Sequence, residues 1–340
     1  MTVMYDKFIP QNCAPTGCKR IIVYRKGEKK GVIKVPTNML APTSTLLYRF
    51  GIVSDVHIQY QTAEADFITA LSFFAEDGCE FVCDAGDMTA NGTNADLQEY
   101  ADCVEENAEI PVEAVTGNHD TWDKNNEGAI AGRIQNYTGK PLYYSFTHGN
   151  DVFIMLGIKL DGEGLLFADG ELQWFYETLE ANRNKRCFVF EHVRPQDACG
   201  NAYGIYANDI WGGVEATVFE SLLRHYKNVI LFHGHSHLKF DLQTKTNLAN
   251  YDNVFGCHSV HIPSISVPRT GDETGAPSRT ELYAQSEGYV VDVYENEIML
   301  KGRDFIKGKY LPIASYKLDT TLQTIAPNTY TDSTGTIQVA

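Results

Sequence analysis

Five short apolar runs, each followed at once by residues that bind cations, constrain this chain more than any other feature. The runs are Phe50-Gly51-Ile52-Val53, Phe81-Val82-Cys83, Val112-Glu113-Ala114-Val115, Cys187-Phe188-Val189-Phe190 and Val229-Ile230-Leu231-Phe232. Each is rich in β-branched and aromatic residues and reads as a buried strand. Just past them come Asp55-Val56-His57, Gly86-Asp87, Gly117-Asn118-His119-Asp120, Glu191-His192 and Gly234-His235-Ser236-His237. Ligands at the carboxyl ends of several strands converge on one edge of a sheet, where α/β proteins place their sites.

Helical patterns alternate with these strands. Ala63, Phe67, Ala70, Leu71 and Phe74 keep helical spacing behind Thr62, which is placed to cap them. Leu97, Tyr100 and Val104 mark a second helix, Leu172, Phe175 and Leu179 a third, and Val214, Val218 and Leu222 a fourth. The alternation predicts a layered α/β domain. Residues 125–150 and 198–213 are expected to be long loops of the kind that carry substrate contacts. Two runs around Glu295-Asn296-Glu297 predict a hairpin that completes a sheet. Ahead of the domain, residues 20–25 and 31–35 flank a Gly-containing turn and predict another hairpin. The expected organisation is a β-rich extension over 1–46, the core domain over 47–310, and an extended arm over 311–340 with a Thr-rich end.

Charge narrows the partners. The 340 residues carry a formal net charge of −16, which argues against duplex nucleic acid and anionic membranes. No apolar run reaches transmembrane length, and no apolar segment follows Met1 as a signal peptide requires. The eight cysteines are scattered without a Cys-x-x-Cys pair; Cys83, Cys103 and Cys187 sit in apolar patterns as buried thiols. A reducing, cytoplasmic setting fits that usage.

The candidate ligands are Asp55, His57, Asp87, Asn118, His192, His235 and His237, a mixture of oxygen and imidazole donors suited to two hard or borderline dications. Two ions about 3.5–4 Å apart clamp phosphoryl oxygens and acidify a bridging water. One carboxylate must then bridge them, and Asp87 is the natural choice, because Gly86 lets the backbone turn tightly there. Two dications, the Asp55 and Asp87 carboxylates and a bridging hydroxide leave the centre at about +1, which suits an anionic ester inside an acidic protein. His233, His258 and His261 read as packing residues. Asp120 reads as a group that orients His119 or caps a turn.

In order and spacing, these motifs resemble the signature of the calcineurin-like metallophosphoesterases over residues 47–305. The resemblance implies a four-layer sandwich, two mixed β-sheets flanked by helices, and a small phosphoester substrate. It implies that Asp55, His57 and His237 hold one metal and Asn118, His192 and His235 the other, with Asp87 between them. Mn, Fe or Zn are the metals it suggests. A metal-bridging hydroxide would be the nucleophile, and His119 would donate to the phosphate or protonate the leaving oxygen. Purple acid phosphatases place a Tyr where this chain has Ala90, which disfavours a ferric–tyrosinate centre. Protein Ser/Thr phosphatases carry Asp-Arg-Gly where this chain has Ala90-Asn91-Gly92. The Asn91-Gly92 ending is similar to the phosphodiesterase form, with Asn91 facing substrate, and Arg194 is a further candidate phosphate contact. A phosphodiesterase is therefore expected. The alternatives are a phosphomonoesterase acting on a nucleotide or small metabolite, and a catalytic domain carried by an assembly component.

Overall fold

The computed structural model describes residues 7–12, 18–25, 28–36, 42, 44–123, 130–160, 165–195, 198–200, 213–240, 250–271, 277–281 and 285–322. The chain begins with β1 (Lys7–Asn12), β2 (Cys18–Arg25) and β3 (Glu28–Pro36), an antiparallel sheet in that order. β2 and β3 form the expected hairpin, and β1 adds a strand that its Pro10 and polar residues did not announce. Then come β4 (Tyr48–Val53), α1 (Ala63–Glu76), β5 (Val82–Asp84), α2 (Asn94–Asn107), β6 (Val112–Ala114), α3 (Ile130–Thr138), β7 (Tyr144–His148) and β8 (Asp151–Met155). Two two-residue strands, β9 (Lys159–Leu160) and β10 (Leu165–Leu166), lead to α4 (Glu171–Ala181), β11 (Cys187–Phe190), α5 (Gly213–His225) and β12 (Val229–His233). The remainder is strand: β13 (Tyr251–Asp252), β14 (His258–His261), β15 (Arg269–Gly271), β16 (Pro277–Glu281), β17 (Glu287–Val293), β18 (Glu297–Asp304) and β19 (Lys309–Asp319).

Two six-stranded mixed sheets form the centre, in the orders β13-β14-β12-β11-β8-β7 and β19-β18-β17-β4-β5-β6. All five apolar runs that precede the motifs are strands in parallel pairings: β4, β5 and β6 in one sheet, β11 and β12 in the other. Between the sheets lies an aromatic core, where Phe50 stacks on Phe81 at 5.3 Å, Phe153 on Phe188 at 4.8 Å and Phe190 on Phe232 at 5.0 Å. Alternate residues of β11 and β12 face the other way, onto Phe175 and Leu179 of α4 and Phe219, Leu222 and Leu223 of α5. The outer face of the second sheet packs on Phe67 and Phe74 of α1, Leu97 and Tyr100 of α2 and Ile130 of α3. This is the expected four-layer sandwich. At the strand ends opposite the motifs, Arg186 and Asp151 pair at 2.6 Å. Arg186 also donates to the Tyr294 carbonyl and to Thr320 Oγ1, tying the two sheets together.

Several expectations need adjusting. The segment read as one loop over 125–150 contains α3 and β7; residues 124–129 lie outside the described residues. Of the other expected loop, 201–212 lie outside them too. The second sheet continues through Asp319, so the boundary expected at residue 310 falls inside β19. Pro312 is tolerated there because β19 is an edge strand. The arm beyond residue 322 lies outside the described residues. Thr62 precedes α1 without capping its backbone, and its hydroxyl donates to the Asp66 carboxylate instead. The hairpin expected near residues 289–304 is β17 paired with β18. Cys83, Cys103 and Cys187 are buried free thiols, as are Cys79, Cys199 and Cys257.

Candidate metal centre

Among the described residues, the non-glycine positions with positive φ are Asp55, His57, Asp87, His235 and His237. All five are candidate ligands. A side chain in the left-handed region costs about 1–2 kcal/mol, and such strain persists only where the surroundings over-determine it. The surroundings here do so through backbone hydrogen bonds between loops: Asp55 N donates to the Gly86 carbonyl and His57 N to the Asp87 carbonyl, each at 2.9 Å.

Two clusters of possible ligand atoms result. Asp55, His57, Asp87 and His237 form one, and Asp87, His192 and His235 form the other, with ligand atoms within 4.8 Å of one another in each. Asp87 belongs to both, the position expected of a bridge. His192 Nε2 lies 3.1 Å from Asp87 Oδ2, and His237 Nε2 lies 3.0 Å from Asp55 Oδ1.

The carboxylates divide their oxygens. Asp55 Oδ2 accepts from Ser54 Oγ at 2.7 Å and His235 N at 3.1 Å. Asp87 Oδ1 accepts from His119 N at 2.8 Å. Among the described residues, Asp55 Oδ1 and Asp87 Oδ2, together with Asn118 Oδ1, are buried without a hydrogen bond of acceptable geometry. Buried oxygens are rarely left so, and a cation is what would satisfy them. The imidazoles are oriented in the same sense. His57 Nδ1 meets the Thr89 carbonyl at 3.1 Å, His192 Nδ1 the Ala85 carbonyl at 2.8 Å and His237 Nδ1 the Val267 carbonyl at 3.2 Å. A carbonyl can only accept, so each Nδ1 carries a hydrogen and each Nε2 is the atom turned inward, offering a lone pair when the ring is neutral. The donor set therefore fits two divalent cations.

Electrostatics follow from burial and crowding. Burial pushes His57 and His235 down to about 3, so both are neutral donors. Burial also pulls on His192, but Asp87 and Asp55 outweigh it and raise it to about 10. His237 is raised in the same way, mainly by Asp55. Despite their burial, Asp55 and Asp87 stay below the usual carboxylate range, held there chiefly by His237 and His192 respectively.

Close approach of the loops demands glycine. At Gly117 a Cβ would stand 2.1 Å from Asp87 Oδ1. Gly86, at φ +98°, supplies the turn expected before the bridge. Asp120 joins the same two loops. It accepts from Thr89 N, Thr89 Oγ1 and Gly117 N at 2.8 Å each and from Met88 N at 3.3 Å. It caps the turn, as one of its two expected roles requires, and burial next to the charge of Asp87 raises it to about 7.

His119 sits half-buried, with Nδ1 2.7 Å from the Ala90 carbonyl and its ring 4.6 Å from that of His57. Trp122, 46% exposed, covers His119 with ring centroids 3.7 Å apart. Sequence patterns gave no hint of that tryptophan, because its place depends on the short 3-10 turn His119–Thr121. Asn91 is exposed, and its N–H donates to Asp96 Oδ2. Arg194 is only 3% exposed and donates to the Pro195 carbonyl. His233 contacts Cys199 Sγ at 3.6 Å and Ser259 Oγ at 3.3 Å. His258 meets the Asp319 carbonyl at 2.7 Å, at the end of β14 distant from His261.

The family model of the calcineurin-like phosphoesterases matches residues 48–239. A search among curated proteins finds no match. Among solved structures, the chain is similar to a dimetal phosphatase from Danio rerio (TM-score 0.59, 14% identity, 82% of this chain and 100% of that one). It is similar also to the purple acid phosphatase PPD1 from yellow lupin, Lupinus luteus (TM-score 0.56, 16% identity, 89% of this chain and 59% of that one). A third is GAP50, described as the anchor in the inner membrane complex of Plasmodium (TM-score 0.54, 15% identity, 86% and 100%). At these identities the likeness is one of fold. Among the described residues, no helix is long and apolar enough to cross a membrane.

Proposed function

Because this chain belongs to the calcineurin-like phosphoesterase family, a family of metal-dependent phosphoester hydrolases, we propose that it hydrolyses small phosphodiesters at a centre of two divalent cations. Asp55, His57 and His237 would hold one cation and Asn118, His192 and His235 the other, with Asp87 contributing to both. The observation that carries this reading is the pair of ligand clusters sharing Asp87. When bound, the two cations would acidify a water and neutralise phosphoryl oxygens.

The protein's own groups do the rest. His119 keeps its Nδ1 hydrogen on the Ala90 carbonyl, so in the imidazolium form the exchangeable proton is on Nε2. From there it binds a phosphoryl oxygen or passes to the leaving oxygen. Asp87 Oδ1 accepts from the His119 backbone N–H, which ties the backbone of the acid directly to the bridging carboxylate. Trp122 fixes the His119 ring from its outer side.

Preference for a diester is supported by the sequence motifs, which offer Arg194 and Arg269 as the candidate cationic contacts near the candidate ligands among the described residues. A monoester dianion usually needs added Arg or Lys donors; Arg194 donates to the Pro195 carbonyl, and Arg269 meets the His237 carbonyl through its backbone N–H. A centre near +1 suits a monoanionic diester. The purified protein should hold two metals per chain and, with Mn added, show higher kcat/KM on bis(nitrophenyl) phosphate than on nitrophenyl phosphate. A clear monoester preference across neutral pH would transfer the proposal to a phosphomonoesterase.

Two observations favour an assembly role as a second reading: a fold neighbour is described as an anchor, and this chain has a β1–β3 sheet ahead of the matched residues. Size-exclusion chromatography with and without residues 1–46 tests it. A monomer in both cases would remove it.

A further inference from the structure

A polar cluster adjoins the last motif, on the sheet face that packs on α4 and α5 largely through apolar side chains. On the helix-facing side of β12, Val229 and Leu231 pack in the outer core, and His233 continues their alternation. On the neighbouring β14, Ser259 and His261 occupy the same face, following Cys257. Register pairs His233 with His261, and their ring centroids stand 5.8 Å apart. Cys199 adds its thiol, 3.4 Å from the Ser259 carbonyl. All of these side chains are buried. Burying so many polar groups costs stability compared with apolar residues of the same volume, so the cluster calls for a reason beyond packing.

The reason lies one turn above it. His261 Nε2 and Ser236 Oγ share a hydrogen bond of 2.7 Å, and both residues are buried. Ser236 stands between His235 and His237, one candidate ligand from each cluster and both in the left-handed region. Nothing in ordinary backbone preference holds two successive alternate residues there. The turn has one short internal hydrogen bond, Ser236 N to the Gly234 carbonyl at 2.8 Å. His261 is itself clamped: its N–H donates to the Asn250 carbonyl at 2.9 Å, and Gly200 presses on its ring so closely that a Cβ there would stand 2.5 Å from Cδ2.

We propose that His261 is a positioning residue: through Ser236 it holds the His235-Ser236-His237 turn in the one conformation that offers an imidazole to each metal. The proposal rests on the two-metal reading above and adds a residue that lies outside the ligand set. One buried hydrogen bond then acts on both metals at once, because the serine is the pivot between their histidines. Partners behind the ligands of a metal typically change affinity about 10–100-fold when removed.

The experiment is metal competition against a chelator of known affinity, on full-length wild type, Ser236→Ala, His261→Leu, His261→Gln and the double variant Ser236→Ala/His261→Leu, with Mn and then Zn as the probe. Wild type should take up two ions; uptake of none would remove the two-metal reading itself and not bear on His261. Given two, His261→Leu and Ser236→Ala should each weaken both ions about 10–100-fold. The double variant should be no worse than the poorer single, and His261→Gln should recover part of the affinity. Unchanged competition in Ser236→Ala, which removes only a hydroxyl, overturns the proposal even if His261→Leu does not fold. Additive losses in the double variant, or loss at one ion alone, overturn it too. A merely structural role would lower the metal-free melting temperature of His261→Leu and leave affinity intact.

Discussion

Replacing Gly117 by alanine tests the centre with a single methyl group. The added Cβ would stand 2.1 Å from Asp87 Oδ1, 2.4 Å from Asp87 N and 2.7 Å from Asp87 Cγ. Ordinary contact begins near 3.4 Å, so about 1.3 Å of movement is needed, and the three nearest atoms all belong to Asp87. Asp120 ties the two loops together, and His119 N is bound to the same Asp87 oxygen. The shift therefore cannot be absorbed by one flexible side chain. A misplacement of about 1 Å in a site can cost about 10²-fold in rate, or about 2.7 kcal/mol of transition-state stabilisation. Overpacking adds about 1–3 kcal/mol of instability. Gly117→Ala should thus lose about 100-fold in kcat/KM on bis(nitrophenyl) phosphate, hold fewer than two metals by elemental analysis, and melt several degrees lower. Gly132→Ala is the matched control. A Cβ at that helical, exposed position meets nothing within 4 Å, so it should gain about 0.5–1 kcal/mol and keep full activity. Wild-type metal content and rate in Gly117→Ala would refute the placement of Asp87.

Other outcomes follow from the same geometry. Asp87→Asn should lose metal and nearly all turnover, since it weakens both clusters; two metals per chain with a near-normal rate would sink the bridge. His119→Ala should keep its metals and lose roughly 10²–10⁴-fold, more for alkoxide than for nitrophenolate leaving groups; equal loss for both would mark phosphate binding as its role. His192 and His237, raised by the facing carboxylates, must lose their protons to ligate, so metal uptake should release protons and weaken as pH falls; titration calorimetry in buffers of different ionisation enthalpy would expose a pH-independent uptake as a contradiction. Burial pushes Cys79, Cys187 and Cys257 up to about 12 and Cys103 to about 11. With Cys83 and Cys199 also buried, these six thiols should resist a disulfide reagent at pH 8 until the protein unfolds; fast reaction of more than two thiols per native chain would contradict this.

The residues that come together in the two candidate clusters could be picked out because their signals are local. A strand long enough to be buried, then a ligand-type residue two to four residues later, is a pattern that survives without three dimensions. The layers followed from alternation of strand and helix. What failed to show lacked such a signal. α3 is nine residues long and carries Gly132 and Asn136, so its periodicity was too brief to separate from a loop. β19 contains Pro312 and a register shift against β18, and its inward-facing set changes parity at the shift, from Leu311 to Ala314, Tyr316 and Leu318. Trp122 and His261 act only through contacts made by folding: one covers His119 from three residues on, the other reaches Ser236 from 25 residues away. Arg194 looked available because sequence gives proximity to His192, whereas its direction depends on the turn into Pro195.

The left-handed ligands carry a cost that evolution in the laboratory would meet at once. Glycine adopts those angles freely, whereas Asp55, His57, Asp87, His235 and His237 do so at about 1–2 kcal/mol each. In a population selected only for heat resistance, with metals withheld, glycine at these five positions would be an advantage. The site would then be erased while the sandwich survived, because the aromatic layer between the sheets takes no part in it. Thermostable descendants of this chain should therefore be sought with the metal present throughout, so that binding energy keeps the strained residues worth having.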